Sequence, residues 1–271
     1  MGPDIRARNN VRILGREDGP TVLFGHGFGC DQGMWQRVLP RFIDDYRVVL
    51  FDYVGSGNSD LDAYDPARYS TLDGYVEDVL EICAELGGGP LTFVGHSVSA
   101  MVAVAAAAKN PSYFESIILL APSPSYLDYP GDGYQGGFSQ ADLDELLVAL
   151  DSNYFVWANS MAPMIMGNPS QPELHSELAG SFCRVNPTVA RDFARVAFLS
   201  DVRHLLADVK VPALILQASN DALVPPHVGT YLLERLPEGT LRVMKAEGHL
   251  PHVSAPAETA DLILDYLRQP A

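Results

Sequence analysis

Short unbroken runs of apolar residues punctuate the chain: Thr21-Val-Leu-Phe24, Arg47-Val-Val-Leu-Phe51, Leu91-Thr-Phe-Val94, Ser116-Ile-Ile-Leu-Leu120, Ala213-Leu-Ile-Leu-Gln217 and Leu241-Arg-Val-Met244. Runs of this length, without polar alternation, suit strands buried on both faces. Between the second and third runs, Leu72, Tyr75, Val76, Val79, Leu80 and Cys83 recur at helical spacing, and Gly87-Gly-Gly-Pro90 stops the pattern. Strand, helix, strand in succession implies an α/β fold built on a mostly parallel sheet with flanking helices.

The strand rhythm lapses from Pro124 to Ser200, where helical patterns follow one another, beginning at Ser139 as the N-cap of a helix over Gln140 to Leu150. The pattern predicts one domain, a core of residues 1–123 and 201–271 with an inserted helical cap at 124–200, and 271 residues suit a single core with such an excursion. The cap is rich in large apolar side chains, including Phe138, Tyr154, Phe155, Trp157, Met161, Met164, Ile165 and Met166. Packing of cap on core accounts for most of them, and a minority is expected to line a ligand cavity. Internal repeats, heptads and low-complexity tracts are absent, which removes solenoid and scaffold readings.

The chemistry concentrates in a few loops. In Leu91-Thr-Phe-Val-Gly-His-Ser97-Val-Ser-Ala-Met101 a buried strand meets a sharp turn and then an Ala-rich helix. A serine on such a turn is pushed out of the sheet towards substrate, provided small residues flank it, as Gly95, Ser99 and Ala100 do. The pattern is GxSxS, with Ser99 in place of the usual final glycine. A serine here also suits helix capping, so the nucleophile reading draws on three further segments.

Phe24-Gly-His-Gly-Phe28-Gly-Cys30 follows a strand, and its glycines let backbone N–H groups face a pocket. With the N–H of Val98, that of Phe28 would form an oxyanion hole. Ala246-Glu-Gly-His249-Leu-Pro-His252 follows the last strand, where a general base is expected after the nucleophile and the acid. Imidazole exchanges protons most readily near neutral pH. His249 is the expected base and His252 its one rival. Gln217-Ala-Ser-Asn-Asp221 supplies a carboxylate between serine and histidine, which would orient the imidazole. Ala121-Pro-Ser-Pro-Ser125 offers none.

Asp52-Tyr-Val-Gly-Ser-Gly57 contains GxG without the third glycine of a dinucleotide site, and no Walker lysine or HExxH pair is present. Neither a metal nor a cofactor is therefore expected. The net charge of −16 disfavours nucleic acid and anionic lipid as partners. Cys30, Cys83 and Cys183 lack CxxC spacing and read as reduced thiols. Met1-Gly2-Pro3-Asp4-Ile5-Arg6 has no signal-like apolar region, and Val98–Ala108 is too short to span a bilayer. A soluble cytoplasmic protein is expected.

With these motifs in place, nearly the whole chain resembles one α/β-hydrolase branch, that of the bacterial stress-response regulator RsbQ and the plant karrikin and strigolactone receptors. The residues responsible are His26-Gly-Phe-Gly-Cys-Asp-Gln32, Asp52-Tyr-Val-Gly-Ser-Gly-Asn-Ser59, Gly95-His-Ser-Val-Ser-Ala-Met101, Ser123-Pro-Ser-Tyr126, Gly136-Gly-Phe138, Asp142-Leu-Asp-Glu-Leu146, Ser152-Asn-Tyr154 and Gly248-His-Leu-Pro251. The branch itself carries serine at the position of Ser99. The resemblance implies an α/β-hydrolase core, a four-helix V-shaped lid and an apolar pocket holding the triad. It implies pocket residues Phe28, His96, Val98, Tyr126 and Phe138, together with Trp157 and Phe198. The Met- and Pro-rich segment Met161 to Gln171 departs from the pattern.

An apolar, aromatic pocket would select small hydrophobic esters or lactones. Three functions remain open on the sequence: an RsbQ-like ligand-responsive signalling hydrolase acting with a sensor-linked phosphatase, a free carboxylesterase or lactonase, and a non-catalytic ligand-binding receptor.

Overall fold

The computed structural model describes residues 4–269. Met1-Gly2-Pro3, read above for a targeting signal, lies outside them. Helix α1 (Ile5–Arg8) precedes strands β1 (Arg12–Gly15), β2 (Thr21–Gly25) and β3 (Arg47–Leu50). Then come α2 (Leu72–Glu85), β4 (Leu91–His96), α3 (Val98–Lys109) and β5 (Phe114–Leu120). Four helices follow without a strand: α4 (Gln140–Ser152), α5 (Tyr154–Met166), α6 (Pro172–Arg184) and α7 (Pro187–Leu199). The chain closes with β6 (Ala213–Gln217), α8 (Pro226–Arg235), β7 (Gly239–Val243), α9 (Pro251–Ser254) and α10 (Pro256–Leu267). Among the described residues, no helix is long and apolar enough to cross a membrane.

The strands form one sheet in the order β1-β3-β2-β4-β5-β6-β7, parallel throughout except where β1 runs antiparallel to β3. The sequence pattern located the six parallel strands and missed β1, because Arg12-Ile-Leu-Gly15 is a short edge strand with no continuous apolar run. Strand β4 is buried at all its positions, and successive residues sort into two cores. Leu23, Val49, Phe93, Ile117 and Ile215 face α2, α3 and the inserted helices. Phe24, Val48, Val94, Ile118 and Leu214 face α10 through Ala260, Ile263 and Leu264. This two-sided burial is why the strands read as unbroken apolar runs.

The winding reverses between β2 and β4, since β3 lies to one side of β2 and β4 to the other. Loops leaving the carboxyl ends of strands diverge at such a switch point and open a crevice. Above it lie the four helices, with α5 packed on α6 and α4 on α7. Ser139 caps α4 in a reciprocal box with Asp142, while Pro172 and Pro187 start α6 and α7 at the one place where a missing N–H costs nothing. Of the cap's large apolar residues, Tyr154, Trp157, Ile165 and Met166 are buried, whereas Phe155 and Met164 face solvent.

The connection from β5 to α4 is pinned to the core by stacked cations and rings. The Arg203 guanidinium lies 3.7 Å over Tyr129 and 4.8 Å from Tyr134, and Tyr134 meets Tyr231 of α8 edge-on at 4.5 Å. A buried ion cluster fastens the amino-terminal segment: the fully buried Asp78 on α2 accepts from Arg8 (3.0 Å), Asn9 (3.1 Å), Arg68 (2.8 Å) and Tyr69 (3.1 Å).

Strand β4 and helix α3 approach so closely that a Cβ on Gly95 would overlap the Ser99 carbonyl. Gly95→Ala is expected to push α3 away and destabilise the fold by about 1–3 kcal/mol, the usual range for overpacking. Urea denaturation checks this, and an unchanged midpoint would show that the strand and helix have room to spare.

Candidate active site

Ser97 occupies the turn between β4 and α3 with φ 56° and ψ −118°, one of four described non-glycine residues at positive φ. Its side chain makes no capping bond to α3, so the helix-cap reading fails. The Oγ instead lies 2.8 Å from His249 Nε2 and 3.2 Å from the Tyr126 hydroxyl. The turn is fixed from the neighbouring strand, because the Ser97 N–H donates to the Leu120 carbonyl at 2.9 Å.

His249 Nδ1 is 2.7 Å from Asp221 Oδ2. The other oxygen of this carboxylate accepts from the N–H groups of Leu223 (2.8 Å) and Val224 (3.3 Å), which fixes its orientation. A carboxylate only accepts, so His249 carries its proton on Nδ1 and presents a bare Nε2 to the serine hydroxyl. The three residues predicted far apart in the sequence thus form one buried relay from Asp221 through His249 to Ser97. Part of its support comes from the inserted helices: the His249 N–H donates to Ile165 O at 2.9 Å, and Asn168 Nδ2 donates to Glu247 O at 3.0 Å.

The rival base, His252, does not reach the serine. It is fully buried, pressed 4.4 Å from the rings of both Trp35 and His96, and neither of its nitrogens has a hydrogen-bond partner among the described residues. Burial drives its pKa down to about 3. His96 is also kept neutral by burial, with its pKa lowered well below the ordinary range. Its Nε2 lies 2.8 Å from the His249 carbonyl and must donate there, so His96 anchors the backbone of the neighbouring imidazole.

The loop after β2 explains why Ser99 stands where a glycine was expected. Ser99 Oγ donates to the His26 carbonyl at 2.6 Å and accepts from the Tyr53 hydroxyl at 2.8 Å, while His26 Nε2 accepts from the Tyr53 N–H at 3.1 Å. The start of α3 is thereby tied to the His26–Cys30 loop. Gly27 has no room for a side chain, since a Cβ would lie 2.6 Å from His96 Nδ1, and Gly29 adopts φ 70° with the Phe182 ring against it. The N–H groups of Phe28 and Val98 have no protein acceptor among the described residues. Asp52–Ser59, the GxG segment, is a loop wound about a buried carboxylate: Asp52 accepts from Gln32 N (2.8 Å), Asn58 N (3.0 Å) and Asn10 Nδ2 (2.7 Å).

A cavity of about 30 Å³ opens directly on Ser97 and His249. Phe28, His96, Tyr126 and Phe198 line it, as the motifs suggested. Three expectations require correction: Val98, Phe138 and Trp157 do not line the cavity, Val98 being buried in the first turn of α3 and the two rings standing behind the wall. Phe138 packs edge-on to Tyr126 at 6.3 Å and Trp157 edge-on to Phe28 at 6.0 Å, so each buttresses a lining ring. The sequence reading missed Ile165, Leu178, Phe182, Leu223 and Leu250. Leu178 and Phe182 share the apolar face of α6, but helical periodicity does not distinguish a cavity wall from packed core. Cys30 lines the cavity too, and burial raises its thiol pKa to about 12, which leaves it protonated and unreactive. A larger groove of about 500 Å³ at the opposite end of the strands, bordered by Thr21, Thr92 and Thr240, contains none of these groups.

The buried neutral imidazoles make stability sensitive to acid. The folded-state values of His96 and His252 lie below the ordinary 6.5, so as the pH falls the unfolded chain takes up protons that the native fold refuses. Stability from these groups is intact above about pH 6.5 and is lost as the pH falls towards about 3 for His252, with a slope of about 1.4 kcal/mol per pH unit for each imidazole. His252→Leu is expected to remove one such slope from urea-denaturation free energies measured between about pH 6 and pH 4. An unaltered slope would show that the His252 ring titrates normally.

Comparison with known proteins agrees with this fold. Residues 22–262 match the model of a family described as the alpha/beta hydrolase family. A karrikin insensitive 2 receptor of Petunia hybrida is 39% identical over 264 residues, covering 97% of each chain. A strigolactone esterase of Pisum sativum is 39% identical over 261 residues, covering 96% of this chain and 97% of that one. The solved structure of a hydrolase from Oleispira antarctica superposes with a TM-score of 0.95 at 42% identity, covering 98% of this chain and 97% of that one. The chain belongs to the alpha/beta hydrolase family.

Proposed function

We propose that this protein is a serine hydrolase of small hydrophobic esters or lactones, a carboxylic ester hydrolase in which Ser97 is the nucleophile, His249 the general base and Asp221 the orienting acid. The observation that carries this reading is the unbroken relay at 2.7 and 2.8 Å ending beside an apolar cavity. Ser97 Oγ attacks the carbonyl carbon as its proton passes to His249 Nε2, and Asp221 stabilises the resulting imidazolium. Negative charge developing on the carbonyl oxygen meets the N–H groups of Phe28 and Val98. The proton then moves to the leaving oxygen, and water repeats the sequence to release the acid.

Residues 124–200 act as a cap on the core of 1–123 and 201–271. A cavity of about 30 Å³ holds only about two waters, so a lactone ring enters when the cap shifts. Because the His249 N–H is bonded to Ile165 of that cap, ligand occupancy and the geometry of the base are mechanically joined. This supports an RsbQ-like, ligand-responsive signalling role, with a sensor-linked phosphatase as partner. One relative is named a karrikin insensitive 2 receptor and another a strigolactone esterase, which favours a ligand-responsive hydrolase without bearing on the phosphatase. Three unpaired cysteines suit a cytoplasmic setting.

Ser97→Ala and His249→Ala are each expected to lower aryl acetate hydrolysis by about 10³-fold or more, because triad members act as a unit. Asp221→Asn should be less severe than loss of the nucleophile. Near-normal turnover by purified Ser97→Ala protein would sink the assignment.

Titration calorimetry tests the signalling role. A sensor-type phosphatase from the same genome should bind through the cap, and a small lactone should change its affinity by about 5- to 150-fold, equivalent to about 1–3 kcal/mol of coupling. If no such phosphatase binds at micromolar concentration while simple esters turn over rapidly, the protein is a free esterase.

A further inference from the structure

Tyr126 makes a contact that the relay does not need. Its hydroxyl lies 3.2 Å from Ser97 Oγ and has no other hydrogen-bond partner among the described residues. The side chain is 2% exposed and faces the cavity. The direction of this hydrogen bond follows from the relay. Asp221 holds the proton of His249 on Nδ1, so the Ser97 hydroxyl donates to Nε2, and its remaining lone pairs accept from the Tyr126 phenol. Burial raises the pKa of the phenol, so it remains a neutral donor rather than a base.

We infer that Tyr126 is a catalytic residue, a hydrogen-bond donor to the leaving oxygen of the ester or lactone. The inference rests on the serine-hydrolase reading and deepens it. When Ser97 Oγ bonds to the carbonyl carbon, the pair it donates is drawn into the new bond and the oxygen becomes a weaker acceptor, so the phenol O–H beside the reacting carbon is free to turn to a more basic oxygen. Sheet order decides which oxygen it serves. Ser97 leaves β4 in the middle; Phe28 follows β2 on one side, and Tyr126 follows β5 on the other, the side from which Asp221 and His249 also arrive after β6 and β7. The carbonyl oxygen turned towards Phe28 N–H therefore points away from Tyr126. The departing oxygen, which must face His249 to receive its proton, points towards it. The C–O bond to the leaving group breaks, the proton taken from Ser97 passes from His249 Nε2 to that oxygen, and Tyr126 keeps its own proton while stabilising the developing alkoxide.

The test compares wild type, Tyr126→Phe and Ser97→Ala on acetate esters whose leaving groups run from 4-nitrophenol through phenol to simple alcohols. The value of kcat/KM reports acylation, the step in which the alcohol leaves. Tyr126→Phe keeps the ring that packs 5.3 Å from Phe198 and removes only the hydroxyl. The expected result is little change on 4-nitrophenyl acetate, whose anion departs without help, and a loss of roughly 10- to 100-fold on alkyl acetates, the scale of one hydrogen bond to a charged acceptor. A steeper dependence on leaving-group basicity in Tyr126→Phe is thus the signature. Equal loss across the series, or none, overturns the role of Tyr126 and leaves the triad standing. Absence of any Ser97-dependent hydrolysis by wild type overturns the hydrolase reading, and this inference with it.

Discussion

A serine at φ 56° and ψ −118° stands outside the conformations that L-residues prefer, at a cost of about 1–3 kcal/mol, and persists only where the surroundings over-determine it. Here they do so from three directions. The Leu120 carbonyl on β5 takes the Ser97 N–H, Gly95 lets α3 lie against β4, and Ser99 ties the first turn of α3 to His26 while accepting from Tyr53. Loosening any of these would let the turn relax into the sheet and draw the hydroxyl away from His249. The same bonds fix the loop of Phe28, so the proposed nucleophile and the oxyanion donors share one support.

The imidazole side of the site is built differently. Its loop is held from below by His96 and from above by Ile165 and Asn168. The lower support is a pair of imidazoles, His96 and His252, which burial keeps uncharged. The upper support belongs to the inserted helices, joined to the core at their rim by a two-pronged Arg37–Glu177 pair at 2.7 Å and by Arg184–Asp31 at 3.0 Å. Half-exposed ion pairs of this kind contribute little to stability. Movement of the cap is therefore opposed mainly by apolar packing around Phe28, whose ring meets Trp157, Phe182, Phe193 and Phe198 at 5.8–6.1 Å. That cluster is where a hydrophobic ligand would compete.

Much of the fold and of the relay was legible in the sequence, because the central parallel strands, buried on both faces, are apolar without interruption and because Ser97, Asp221 and His249 sit in turns that follow strands. The six parallel strands and the helix that starts after Ser139 were placed in this way, and so were Ser97, Asp221 and His249, which the structure brings within hydrogen-bond distance of one another. Strand β1 escaped because one edge strand with a solvent side has no such run. Asp78 escaped because its partners Arg8 and Arg68 are 70 and 10 residues away, and nothing local reveals that they meet.

The sequence by itself determined the element order and the chemistry available after each strand, since these follow from local periodicity and from the few residues that tolerate sharp turns, while the apolar pocket was implied only by the resemblance of its motifs to a known family. Only the tertiary structure decided which of two nearby histidines faces the serine, that Phe138 and Trp157 buttress the cavity while Phe182 and Ile165 line it, and that Tyr126 donates to Ser97. Some of these distinctions belong to the loops that carry Tyr126, Phe138 and His249, and the rest depend on where the helices bearing Trp157, Ile165 and Phe182 come to rest against the sheet. A shift of one residue along a helix rotates a side chain by about 100°, from wall to core, without altering the apolar pattern from which the helix is read.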